Sequence, residues 1–196
     1  VRMAALGRLT DEADIADVVR RNTDLQVRVA ALDRIKVTSL LADIALKHPD
    51  PMTQAAAAGL IRDQKLLEML AVKQTNTAVC LAAVAHLTNQ VTLIRLALDH
   101  RDVYVRRAAV QGIRNQDKLS GIARNDPDRD VRKTAAELVE EPAALAVIAR
   151  NDPDAMVRWV ATRKTSDQDV LAGLARKDAD PLVRRQAVVK LEDPAL

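Results

Sequence analysis

Residues 102–123 read DVYVRRAAVQGIRNQDKLSGIA, and this stretch decides the fold. Val105, Ala109 and Ile113 lie four apart, while Leu119, Ile122 and Ala123 keep the three-and-four spacing that lays apolar residues along one helical face. Asp102 stands just before the first series and Asn115 just before the second. Both residue types cap helix N-termini, because their side-chain oxygens accept orphan amide hydrogens. The stretch predicts a pair of short helices.

Outward from it, the same pattern returns every 26 residues. Repeats begin at Val1, Val27, Thr53, Val79, Val105, Val131, Val157 and Val183, and seven full repeats leave 14 residues with no insertion or deletion. Place 5 of every repeat is Ala: Ala5, Ala31, Ala57, Ala83, Ala109, Ala135, Ala161 and Ala187. Place 15 is Ile15, Leu41, Leu67, Leu93, Leu119, Leu145 and Leu171; place 18 is aliphatic from Val18 to Leu174; place 19 is Ala except at Val19. Place 24 carries Asp24, Asp50, Asn76, Asp102, Asp128, Asp154 and Asp180 as the cap of a helix A. Place 11 does the same for a helix B with Asp11, Asp63, Asn89, Asn115, Asp167 and Asp193. Pro51, Pro142, Pro181 and Pro194 follow such positions, where the first helical turn needs no amide donor.

Helix A is expected over roughly places 1–9 and helix B over roughly places 12–21. Helices this short are marginal alone in water, so each must bury its Ala and Leu face against its neighbours. The expected fold is all-α: one right-handed α–α superhelix (a solenoid) of about seven and a half helix pairs, a single domain over residues 1–196.

The pattern Asp-x-x-Val-Arg-x-x-Ala-Ala-x-x-(Leu/Ile), followed by (Asp/Asn)-Gln-x-x-Leu-x-x-(Ile/Leu)-Ala, resembles short HEAT-like repeats, and the resemblance covers essentially all of the chain. The repeat Val157–Leu182, with Arg163-Lys164-Thr165-Ser166, also resembles the leucine-rich repeat variant family. The resemblance implies an armadillo-type α-solenoid with a binding or scaffolding role, and a concave surface lined by helix B.

Composition narrows the function. The 196 residues are 48% hydrophobic and 29% charged, which suits a packed chain rather than a disordered one. A single Cys excludes a disulfide framework or a Cys-based metal cluster within the chain. One Trp, one Tyr and no Phe supply no stacking platform for single-stranded nucleic acid. Thirty basic against 27 acidic residues is no nucleic-acid footprint, and no apolar run is long enough to span a membrane.

Asp at place 24 is followed four residues later by Arg in Asp24/Arg28, Asp102/Arg106, Asp128/Arg132, Asp154/Arg158 and Asp180/Arg184. The resemblance implies that these form hydrogen-bond ladders between adjacent repeats, and charges partly buried there must be paired. Cys80 replaces the Arg in the repeat that also exchanges Asp for Asn76. It is expected as a packed thiol.

The exposed part of helix B changes character along the chain. Place 20 is Leu46, Val72 and Leu98, then Arg124, Arg150 and Arg176, with small or apolar neighbours such as Gly121, Val147 and Gly173. Two readings follow for the arginines. They form a row that grips an acidic peptide, or they answer the helix dipole and pair with Asp126, Asp152 and Asp178 two residues on. Leu46, Met69, Val72, Ile94 and Leu98 make a second candidate, an apolar partner-binding patch.

Metal and catalytic readings find no support. His48 and His100 hold the same place two repeats apart, some ~16–20 Å at helix-packing spacing. The histidines precede Pro49, Leu87 and Arg101, so the His-Glu iron ligands of the deoxyhypusine hydroxylase branch are absent. No cofactor, metal site or catalytic residue is assigned. Trp159 is read as surface packing rather than as a partner anchor.

The expected function is a non-catalytic interaction scaffold that presents helix B to a protein or peptide of acidic character. Two alternatives stand beside it: a lyase-type accessory role on a chromophore-bearing or other protein substrate, and nucleic-acid backbone binding through the Arg row. A membrane partner is not expected, and a cytoplasmic location is. The chain opens on a repeat without Met and stops early in a helix B, so it is expected to be an excerpt of a longer protein.

Overall fold

The computed structural model describes residues 6–192. Among them are fourteen α-helices and no strand. In chain order these are α1 (Glu12–Arg21), α2 (Leu25–Leu32), α3 (Thr38–Lys47), α4 (Pro51–Leu60), α5 (Gln64–Lys73), α6 (Thr77–Val84) and α7 (Gln90–Asp99). Then come α8 (Val103–Gln111), α9 (Gln116–Asn125), α10 (Arg129–Leu138), α11 (Pro142–Asn151), α12 (Ala155–Lys164), α13 (Gln168–Lys177) and α14 (Pro181–Lys190). Odd-numbered helices are B helices and even-numbered ones are A helices. No helix among the described residues is long and apolar enough to cross a membrane.

Every B helix runs over places 12–21, as the spacing predicts. Each described helix A starts at place 25, earlier than expected, because the capping residue at place 24 begins the helix at once. Asp128 accepts from the amides of Asp130 and Val131, and Asp154 from those of Met156 and Val157. Asn76 does the same for α6 through Ala78. Val37 and Glu141 cap without a side-chain bond, while the Val37 amide is satisfied by Glu12 of the preceding repeat at 2.8 Å. The capping positions Asp193 and Pro194, like Ala5, lie outside the described residues.

Two compact units divide the chain, residues 1–96 and 97–196, with the boundary inside α7. Each has the same internal construction. The place-5 alanines from Ala31 to Ala187 are fully buried, as are Leu67, Leu119 and Leu171 at place 15. A buried leucine of this kind contributes about 2 kcal/mol. Because Ala offers only a methyl group, neighbouring A helices come close: α6 packs onto α4 in the first unit, and α12 onto α10 and α14 in the second. The B helices touch one another far less. That difference leaves clefts in the B layer.

A polar ladder runs down the second unit, but its rungs differ from the i−4 pairs in the sequence. Arg106 reaches Asp126, Arg132 reaches Asp152 and Arg158 reaches Asp178, each 20 residues downstream at place 22 of the same repeat. One Nη of each also donates to the place-22 carbonyl of the preceding repeat: His100, Asp126 and Asp152 respectively. In these repeats the Asp at place 24 caps helix A, and the Asp at place 22 takes the ladder arginine. Where place 22 is His48, Arg28 turns to Asp50 at 2.8 Å instead. The neighbouring rung is uncharged: Asn76 donates to Gln54 Oε1 at 3.0 Å. Cys80, fully buried, aims its thiol at the Gln74 carbonyl, the same place-22 acceptor the arginines use.

A second tie comes from place 12. Gln64 accepts from the Thr88 amide and Gln116 from the Glu140 amide, each at 2.9 Å, so one side chain satisfies the turn of the next repeat.

Candidate helix-B clefts of the second unit

Three clefts open between successive B helices of the second unit, and they are the same site repeated. The first, about 290 Å³, has Leu98 of α7 on one lip and Gly121, Ile122, Asn125 and Pro127 opposite. The second, about 120 Å³, has Arg124 on the lip facing Val147, Ile148, Asn151 and Pro153. The third, about 180 Å³, has Arg150 on the lip facing Gly173, Leu174 and Lys177. Place 20 of one helix thus faces places 17, 18 and 21 of the next. The aspartate at place 22 (Asp126, Asp152 or Asp178) lies at the base of each cleft.

Those aspartates are not partners for the lip arginines Arg124 and Arg150, contrary to the pairing expected two residues on. Asp126, Asp152 and Asp178 are already held by the ladder arginines at 3.0, 2.8 and 2.8 Å. Burial pushes the Asp178 carboxyl up, but the hydrogen bonds from Arg158 and the Asp180 amide, with the charges of Arg158 and Arg184, outweigh it and leave the group below the usual carboxylate range. The cleft floor is therefore a neutralised pair rather than a bare negative charge.

The lip arginines keep their charge for solvent. Arg124 is exposed, and its Nε donates to the Ser120 carbonyl in its own helix at 3.1 Å. Arg150 is exposed and makes no side-chain hydrogen bond or ion pair among the described residues. Arg176 is exposed in the last turn of α13. Each stands where the helix dipole favours a cation. Asn125 and Asn151, which the sequence reading passed over, are exposed at place 21, and their carboxamides have no partner among the described residues. The signal was there: both follow an arginine directly.

The apolar candidates do not form one uniformly exposed patch. Leu46, Met69 and Ile94 are half-buried, and Val72 is 40% exposed in the first unit. Leu98, 51% exposed, belongs to the second unit and to the first cleft.

The remaining chemical candidates serve the backbone. His48 is buried, with Nε2 3.2 Å from the Val19 carbonyl and Nδ1 accepting from the Asp50 amide. His100 accepts from the Asp102 amide in the same manner. Arg163 sits over the Trp159 ring at 5.3 Å, a cation–π contact that occupies the indole face. Among the described residues no three His, Cys, Asp or Glu side chains converge on a point that could hold a metal.

No family model matches the chain, and neither does any curated protein or solved structure.

Proposed function

We propose that the chain is a non-catalytic binding scaffold of HEAT-like repeats whose helix-B face in the second unit takes an acidic peptide segment. One observation carries this reading: Arg124 and Arg150 stand on cleft lips while every nearby floor aspartate is already neutralised by another arginine. An uncompensated guanidinium beside a concave floor whose own charges are already paired favours a carboxylate ligand, which it grips with two parallel hydrogen bonds. The clefts need little rearrangement to accept one, because ladder and caps fix their walls, and a preformed site costs less ordering entropy.

Fluorescence anisotropy with a labelled Glu-rich peptide tests the proposal. Parent protein binds, and Arg150→Ala weakens binding about tenfold, the worth of one charge-assisted pair. Equal binding by parent and variant removes the proposal. A labelled DNA duplex run over a salt series separates the phosphate-binding alternative, for which affinity drops steeply as salt rises.

A further inference from the structure

One lip of the three clefts runs Leu98, Arg124, Arg150; the facing lip carries Asn125 and Asn151 in the first two and Lys177 in the third, with Val147 between Gly121 and Gly173. Helices packed side by side are ~8–10 Å apart, and the B helices touch one another less than the A helices do, so equivalent lips recur at the upper end of that interval, about 10 Å. A polyproline-II strand repeats its side-chain direction every three residues, a rise of about 9 Å. A β-strand covers the same span in three residues but turns alternate side chains to opposite faces. An α-helix presents i and i+7 on one face at ~10.5 Å, which also fits the interval.

The asparagines separate the polyproline-II strand from the helix. Asn125 and Asn151 lie at two cleft edges with unpartnered carboxamides. A carboxamide bonds a peptide N–H and C=O together, and an extended ligand offers both while a helical one has consumed them internally. Gly121 and Gly173 agree with this: a Cβ at either meets nothing within 4 Å, so packing does not demand glycine there, and its absence lets a ligand backbone come near.

We infer that the ligand is an extended, polyproline-II segment with an apolar residue and two acidic residues spaced by three, seated on Leu98, Arg124 and Arg150 in that order. This rests on the acidic-peptide reading above and adds the register, the conformation and the apolar end.

The test is a molecular ruler. Labelled peptides Leu-Pro-Ala-Glu-Pro-Ala-Glu and its reverse are compared with peptides of equal charge whose Leu and Glu residues are spaced by two or by four. One polarity of the three-spaced peptide binds at least about tenfold tighter than either altered spacing, the value of one lost carboxylate–Arg pair. Replacing its Leu by Ser weakens binding to the parent but not to Leu98→Ala, whose exposed position leaves the fold intact. Binding that depends on Arg150 but ignores spacing overturns this inference and leaves the acidic-peptide reading standing. If no acidic peptide binds, both fall.

Discussion

The guanidinium of Arg132 holds both carboxylate oxygens of Asp152, Nε at 2.8 Å and Nη2 at 3.1 Å, while Nη1 donates to the Asp126 carbonyl at 3.0 Å. One side chain thereby joins two consecutive repeats. The Asp152 side chain is 2% exposed, and the hydrogen bonds that answer its charge come from Arg132 and the Asp154 amide.

Arg132→Ala leaves that buried carboxylate uncompensated and is expected to cost about 3–5 kcal/mol. Urea unfolding of parent and variant measures it. A loss below about 1 kcal/mol places the rung among ordinary surface pairs and removes its structural role.

Acid should act through the same groups. In the folded chain burial pushes the Asp178 carboxyl up, but the hydrogen bonds from Arg158 and the Asp180 amide hold it below its usual range. Asp154 is also lowered, again against burial, chiefly by the amides of Met156 and Val157. A depressed folded pKa means the unfolded chain binds protons more readily. This stability is fully present above the unfolded value near ~3.9 and is lost as pH falls through the lower folded value. Melting temperature should therefore stay flat down to about pH 5 on this account and fall below it. The gap between parent and Asp178→Asn should close as the pH approaches ~2. A gap unchanged between pH 7 and pH 2 contradicts the assignment.

Ser120 is buried in α9, and its hydroxyl is a buried polar group without a hydrogen-bond partner among the described residues. The equivalent places hold Ala146 and Ala172. An unmade hydroxyl bond costs about 1–3 kcal/mol, and Ala is also the better helix former. Ser120→Ala should raise the denaturation midpoint; a drop would mean that the hydroxyl has a role in the protein.

Glycine inside a helix costs roughly 1 kcal/mol relative to Ala. With no atom near the added methyl, Gly59→Ala, Gly121→Ala and Gly173→Ala should each stabilise by about that much in thermal melts. The three differ in binding. Gly121 and Gly173 line clefts, so their methyls should weaken the acidic peptide, whereas Gly59 on α4 should leave it unchanged. Identical effects of all three on affinity argue against backbone approach.

The sequence made the helix pairs legible because a 26-residue period aligns the buried Ala and Leu positions without a gap. It misled about the ladder. Asp128 stands four before Arg132 and Asp152 stands 20 after it, and spacing alone ranks the near one first. In the folded chain Asp128 is bonded to two amides of its own helix, and the guanidinium reaches Asp152 instead. A pattern across repeats carried the answer: Asp126, Asp152 and Asp178 occupy place 22 only in repeats whose place 2 is Arg106, Arg132 or Arg158. The clefts were not legible. They come from the looser spacing of B helices against that of A helices, and that spacing is fixed by the sum of contacts on both sides.

The uncharged rung between Gln54 and Asn76 has a consequence of its own. Neither carboxamide gains a proton in the range where Asp178 does, so acidification severs some cross-ties and spares others. The repeats are wired with fuses of unequal rating, and a falling pH should blow them in an order set by side-chain chemistry, independent of how much apolar surface each repeat hides.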